Sequence, residues 1–230
     1  MKSASLPAKA DPKEQRRFYE DVLKPLMKKA RRKNSRHILL FMDASHFVMG
    51  SDFLGSIYGK TRRFVTTFSG RQRYNVLGAI NFITKKVTTI TNTTYITATE
   101  ICDMLAKVAK EYAGKTIHIA LDNAKYQKCD AVKHLAATLV IELIYSPPYS
   151  PNLNPIERLW KFVKAKLRCK YYDDFQLFQE TIDSIVDGTH TIYKEQISSL
   201  IDEKVQLYDD LVPLCTNTFV KGKSKDQDAA

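Results

Sequence analysis

Residues 117–145 read I-H-I-A-L-D-N-A-K-Y-Q-K-C-D-A-V-K-H-L-A-A-T-L-V-I-E-L-I-Y. Ile117 to Leu121 is a strand-like apolar run closed by Asp122, Tyr126 to Ala137 is helix-compatible, and Thr138 to Tyr145 is a short apolar run that suits a buried strand. Strand and helix alternate here. Upstream the pattern is a meander: His37 to Asp43, Arg63 to Phe68, Tyr74 to Phe82 and Val87 to Thr91 read as strands, separated by turns such as S-G-R-Q-R at 69–73. A helix follows over Thr99 to Tyr112, with Ile101, Leu105, Val108 and Ala109 on its apolar side and Gly114 ending it. A meander followed by alternation predicts an α/β fold, a mixed sheet with helices on its faces.

The flanks differ in character. Residues 13–33 are helix-compatible and highly charged, ending in Lys28, Lys29, Arg31, Arg32 and Lys33, so residues 1–36 are expected to form a charged helical arm. Asp173 to Val186 and Tyr193 to Leu211 are expected as C-terminal helices, the latter within an extension over 191–220, and the polar stretch 221–230 as a disordered tail. With 230 residues, the chain is expected to hold one substantial core, over 37–190.

Composition excludes several classes. At 44% hydrophobic and 27% charged residues the chain is neither collagen-like, coiled-coil nor disordered. A formal charge of +11 favours a polyanionic partner without naming it. Cys102, Cys129, Cys169 and Cys215 form no C-x-x-C pair, which suggests neither a zinc site nor a disulfide framework and points to a reducing cytoplasm. The first residues lack the apolar run of a signal peptide, and no stretch reaches transmembrane length, so no membrane partner is expected.

Three carboxylates carry the chemistry. Asp43 closes the run Ile38 to Met42, Asp122 closes the second strand-like run, and Glu157 follows the rigid stretch S-P-P-Y-S-P-N-L-N-P over 146–155. Hard divalent ions take oxygen ligands and bridge phosphates, so acids at two strand ends and one helix entrance suit magnesium-dependent phosphoryl transfer. Pro155 can take the first helical position after Asn154 as N-cap. At 100° per residue, Ile156, Leu159, Trp160, Val163 and Leu167 share an apolar face, while Glu157, Lys161, Lys164 and Arg168 fall on an adjacent stripe suited to a phosphate backbone.

Plainer readings exist for each residue. Aspartate commonly ends strands by capping turns, and Asn154-x-x-Glu157 has capping-box spacing. Lys161 and Lys164 fit a solvated helix face, and Asn123 fits an ordinary turn. His46 is expected across the turn from the first acid, Arg71 and Arg73 in a turn that can contact phosphate, Tyr149 as a stacking aromatic and Trp160 in the core.

The motifs F-M-D-A-S-H-F (41–47), L-D-N-A (121–124) and S-P-P-Y-S-P-N-L-N-P-I-E-R-L-W (146–160) resemble those of D-D-E transposases of the mariner-like bacterial insertion-sequence group, with 34 residues between Asp122 and Glu157 as in that group. The resemblance runs from about Asp11 to Val186 and takes in G-R-Q-R-Y-N-V-L-G-A at 70–79. It implies a ribonuclease-H-like fold with a five-stranded mixed sheet, and a site in which Asp43, Asp122 and Glu157 hold two ions, Mg²⁺ or Mn²⁺, Asp43 bridging both. It also implies cleavage and strand transfer at terminal inverted repeats with insertion at TA, on double-stranded DNA, by a homodimer in the bacterial cytoplasm at the nucleoid.

One departure stands out: the group places paired helix-turn-helix modules before the first acid, and 42 residues are too few for them. The expectation is the downstream product of a split gene, with an upstream DNA-reading half supplied separately. Two other readings stay open at this level, a non-catalytic DNA-binding remnant and another ribonuclease-H-like nuclease or integrase.

Overall fold

The computed structural model describes residues 7, 9–50, 70–168, 170–202, 205, 207 and 208. Asp11 caps helix α1 (Pro12–Phe18), accepting from the amides of Lys13 and Glu14. The chain continues through a π-helical turn (Tyr19–Leu23) into α2 (Lys24–Arg31). Pro25 explains the turn. Its ring has no N–H and would collide with the carbonyl four residues back; the wider turn, closed by Lys24 N–H on Tyr19 O, lets the helix carry on. This expected arm packs against the body. Leu23, Leu26, Met27 and Ala30 are buried in a core cluster, and the charged residues occupy the other side.

The sheet contains β1 (His37–Met49), β2 (Gln72–Asn81), β3 (Val87–Asn92), β4 (Thr116–Leu121) and β5 (Ile141–Tyr145). Its order is β3-β2-β1-β4-β5. The β1/β2 and β2/β3 pairs are antiparallel and β1/β4 and β4/β5 parallel, so the expected five-stranded mixed sheet is present. Helix α3 (Ala98–Glu111), started by the Thr97/Glu100 capping box, and α4 (Asp130–Thr138) cover one face. On the other lie α2, α5 (Ile156–Leu167), α6 (Phe175–Asp187) and α7 (Lys194–Leu200). Successive strand residues point to opposite faces, so Leu40 and Met42 join the α3/α4 cluster while Leu39 and Phe41 join the α5 cluster.

Four expectations are corrected. The helix expected over Tyr193 to Leu211 is, among the described residues, α7 alone, which ends at Leu200 where the Ile201 backbone leaves the helical conformation (φ −109°, ψ 72°). Asp43 does not end its strand: β1 runs on to Met49, six residues further, paired with β2. His46 accordingly lies on the strand and not across a turn. The run from Thr138 is not all strand, because α4 takes Thr138 and Val140 adopts a left-handed conformation (φ 55°) that breaks the chain before β5. The strand expected over 63–68 and the tail over 221–230 lie outside the described residues.

Candidate active site

The parallel ladder between β1 and β4 stops at Phe41 opposite Ala120, although β1 stays paired to β2, with Asp43 opposite Gly78. From residue 42 onward β1 therefore has lost its β4 neighbour, and the gap opens beside Asp43. Asp122 follows the last residue of β4, its Oδ1 accepting from the Ala124 amide at 3.2 Å. Glu157 stands in the first turn of α5. All three acids line one cleft of about 360 Å³, with Asn123, Ala124, Ser146 to Pro151 and Asn154 as the remaining wall.

The acids feel each other. Burial first, then the negative charge of Glu157 and, more weakly, that of Asp122 push the Asp43 carboxyl up to about 7, against opposing hydrogen bonds from the Ala44 backbone, which outweighs Asp122, and from the Trp160 N–H. Among the described residues no group of three His, Cys, Asp or Glu side chains is already gathered tightly enough to grip one ion. The donor set nonetheless fits Mg²⁺ or Mn²⁺. It is carboxylate oxygen throughout, and the upward displacement of Asp43, due first to burial and then to the neighbouring acids, marks a buried negative site that a divalent cation would relieve.

The proline-rich approach is tied down by amides. Asn123 Nδ2 donates to the Ser146 carbonyl, joining the end of β4 to the end of β5, while its Oδ1 is buried with no hydrogen-bond partner. Gln15, fully buried on α1, donates to Ser150 Oγ at 2.8 Å and accepts from Asn152 Nδ2 at 3.0 Å. Asn154 Nδ2 donates to Met42 O at 3.1 Å, beside Asp43. Tyr149 is half-exposed on the cleft wall in a left-handed conformation (φ 56°), held between Pro148 and Pro151 by Ser150 Oγ on Pro148 O.

The expected capping box is absent. Asn154 Oδ1 accepts from the Ile156 amide at 3.4 Å where α5 starts, while its Nδ2 reaches β1, and the reciprocal bond from the Glu157 side chain to the Asn154 amide is not made. Glu157 is left free of that role. The apolar face is as expected: Ile156, Leu159, Trp160, Val163 and Leu167 are buried. Trp160 does more than pack, since its indole Nε1 donates to Asp43 Oδ2 at 3.1 Å.

Lys161 is exposed on α5 and Arg168 just past its end, and the Lys164 ammonium sits 5.6 Å over the Phe47 ring. Arg71 and Arg73 are exposed at the start of β2. His46 is driven down by burial, then by the positive charges of Arg73 and Lys164, so these two expected DNA contacts act on one point of the β1–β2 ribbon. Sequence reasoning missed Gln15, Asn152 and Gly78 altogether; the recurrence of Asn154, Glu157 and Trp160 every third residue was the one available signal.

A family model described as DDE superfamily endonuclease matches residues 38–179. Among solved structures the chain is similar to the Mos1 transposase paired-end complex with left transposon end (TM-score 0.60, 13% identity, 90% of this chain and 67% of that one). It is also similar to the Mos1 mariner paired end complex with Mn (0.61, 14%, 87% and 64%) and to the catalytic domain of Mos1 mariner transposase (0.56, 14%, 87% and 94%). The chain thus spans about two thirds of the transposase chains in those complexes. At these identities the likeness is one of fold, and that fold is ribonuclease-H-like. No curated protein matches the chain by sequence.

Proposed function

The chain belongs to the DDE superfamily of endonucleases, and from that premise we propose that it is the catalytic part of a DNA transposase that cleaves and joins DNA at terminal inverted repeats and inserts at TA. The observation that supports this reading most is the opening of Asp43, Asp122 and Glu157 onto one cleft at the point where β1 parts from β4. Bound among these carboxylates, two Mg²⁺ or Mn²⁺ ions would supply a lowered pKa for the attacking water or 3′-hydroxyl and stabilisation of the leaving oxygen. Asp43, Asp122 and Glu157 would hold the ions, with Asp43 as the ligand shared by both in the division of labour that the family resemblance implies.

Lys161 and Lys164 on α5 and Arg168 just past its end, with Arg71 and Arg73 on the ribbon, hold the backbone of double-stranded DNA beside those acids. Asn123 keeps the wall between β4 and β5 in place, so any contact it makes with DNA is secondary to that tie. The catalytic unit is residues 37–190; it acts as a homodimer in a bacterial cytoplasm, with end recognition supplied by an upstream helix-turn-helix half. No helix among the described residues is long and apolar enough to cross a membrane.

The test is nicking of a supercoiled plasmid carrying the flanking inverted repeats, in Mg²⁺ or Mn²⁺ against EDTA, by the wild type and Asp122→Ala. Metal-dependent nicking lost in the variant is expected. Folded wild type that binds DNA but never cuts, even with the upstream half added, would leave a DNA-binding remnant instead.

A further inference from the structure

We propose that Asn154 and Trp160 form a two-point clamp between α5 and β1, whose purpose is to hold the Asp43 and Glu157 carboxylates in register for metal binding. The inference rests on the proposed metal site and names what keeps two of its ligands together. Asn154 lies just before α5, Glu157 stands in its first turn and Trp160 follows three residues later on the buried face of the helix. The residues on either side of the acid both hold β1: Asn154 Nδ2 on Met42 O at 3.1 Å and Trp160 Nε1 on Asp43 Oδ2 at 3.1 Å. The acid sits between them.

Each point of the clamp uses something the sheet provides. Leu39 O faces β2, where it accepts from Phe82 N at 3.0 Å, so by alternation Met42 O faces the β4 side, one residue beyond the last β1–β4 pair. A carbonyl that has lost its strand partner is filled by Asn154, itself buried. The second point depends on Gly78, directly opposite Asp43 in the β1–β2 register. A Cβ there would stand 2.7 Å from Cη2 and 2.9 Å from Cζ2 of Trp160, closer than real side chains come, so only glycine leaves the indole room to lie across β2 and reach the carboxylate. Phe47 closes the other side, edge-on to the indole at 6.2 Å between centroids.

A buried indole N–H needs an acceptor, and a carboxylate gives a charge-assisted bond that fixes the side-chain torsions of Asp43. It occupies Oδ2 and leaves Oδ1 without that bond. Trp160 is therefore a positioning residue and touches neither DNA nor metal. Any slide of α5 along β1 would break both bonds as it separated Glu157 from Asp43, so helix register and ligand spacing are one variable.

Mn²⁺ binding to the wild type and to Trp160→Phe by titration calorimetry, with the Mn²⁺ dependence of cleavage alongside, tests the clamp. Phenylalanine keeps an aromatic ring and removes the donor together with part of the indole's volume, and Asn154→Leu separates the two effects. We expect affinity to fall about 10-fold, in the range seen when partners that orient metal ligands are removed, with cleavage restored by raising Mn²⁺. Asn154→Leu, which removes the other point at similar volume, carries the same expectation and stands in should Trp160→Phe not fold. Unchanged affinity and metal dependence in a folded variant would overturn the clamp. Failure of the wild type itself to bind Mn²⁺ would instead overturn the metal site on which the clamp rests.

Discussion

At the centre of the α3/α4 face of the sheet, Leu40, Met42 and Ile119 meet Ile101, Leu105 and Val108 in a wholly apolar cluster, and polar ties such as Thr88 Oγ1 on Glu111 and Lys107 Nζ on Thr89 O run along the edge strand β3. On the α5 face, Leu39 and Phe41 start an equally dry cluster, but it ends at Asp43, where Trp160, Asn154 and Glu157 arrive from α5. The first face is held by area excluded from water, which tolerates small shifts. The second is held in addition by directional bonds to particular oxygens, which do not. Placing the acids on the second face gives a catalytic geometry that the general stability of the core does not determine.

The strongest way to break that contrast is a pair of substitutions. Asp43→Ala, Asp122→Ala or Glu157→Ala should reduce cleavage to background while circular dichroism shows an intact fold. Leu105→Ala, fully buried on the other face, should cost about 2–5 kcal/mol in denaturant unfolding and leave cleavage per folded molecule unchanged. Cleavage surviving in an acid variant would remove that residue from the site.

A pH series on metal-free protein sharpens the contrast further. The Asp43 carboxyl stands at about 7 folded against an ordinary 3.8, so between those values the folded state keeps a proton the unfolded chain has released. Stability should therefore fall as pH rises from about 4 to about 7 and stay reduced above, with an upper limit on the order of 4 kcal/mol. Asp43→Asn should flatten that slope, and Mg²⁺ binding to the wild type should strengthen as pH passes about 7, because ion and proton compete for one carboxylate. A pH-independent Mg²⁺ affinity from 6 to 8 would contradict the electrostatic account.

Smaller effects mark the periphery. Gln15→Ala should lower stability by about 1–3 kcal/mol, since Ser150 and Asn152 each lose a buried partner. Lys161→Ala should leave stability within about 0.5 kcal/mol, weaken DNA binding evenly across sequences and reduce the salt slope by about 1.

These two faces also differ in how far the sequence discloses them. Alternation of apolar runs and helices located all five described strands, and the 100° pattern named the buried side of α5 correctly, because burial is periodic. The same reasoning placed Asp43 at a strand end. It took the end of the apolar run for the end of the strand, whereas β1 goes on as a half-exposed ribbon paired only with β2. Trp160 was legible as core but not as a donor, since its reach depends on Gly78, whose proximity is a fact of sheet register. Gln15 was hidden for a related reason. A glutamine in a highly charged helix looks solvated until the Ser150 and Asn152 side chains are brought to it from more than a hundred residues away.

The most direct measurement uses the single tryptophan, Trp160, whose indole is bonded to the proposed shared ligand. Titrating metal-free protein with Mg²⁺ while recording tryptophan emission should give a saturable change in the wild type and none in Asp43→Asn. An unchanged wild-type signal, or the same change in the variant, would contradict a divalent-metal site at Asp43.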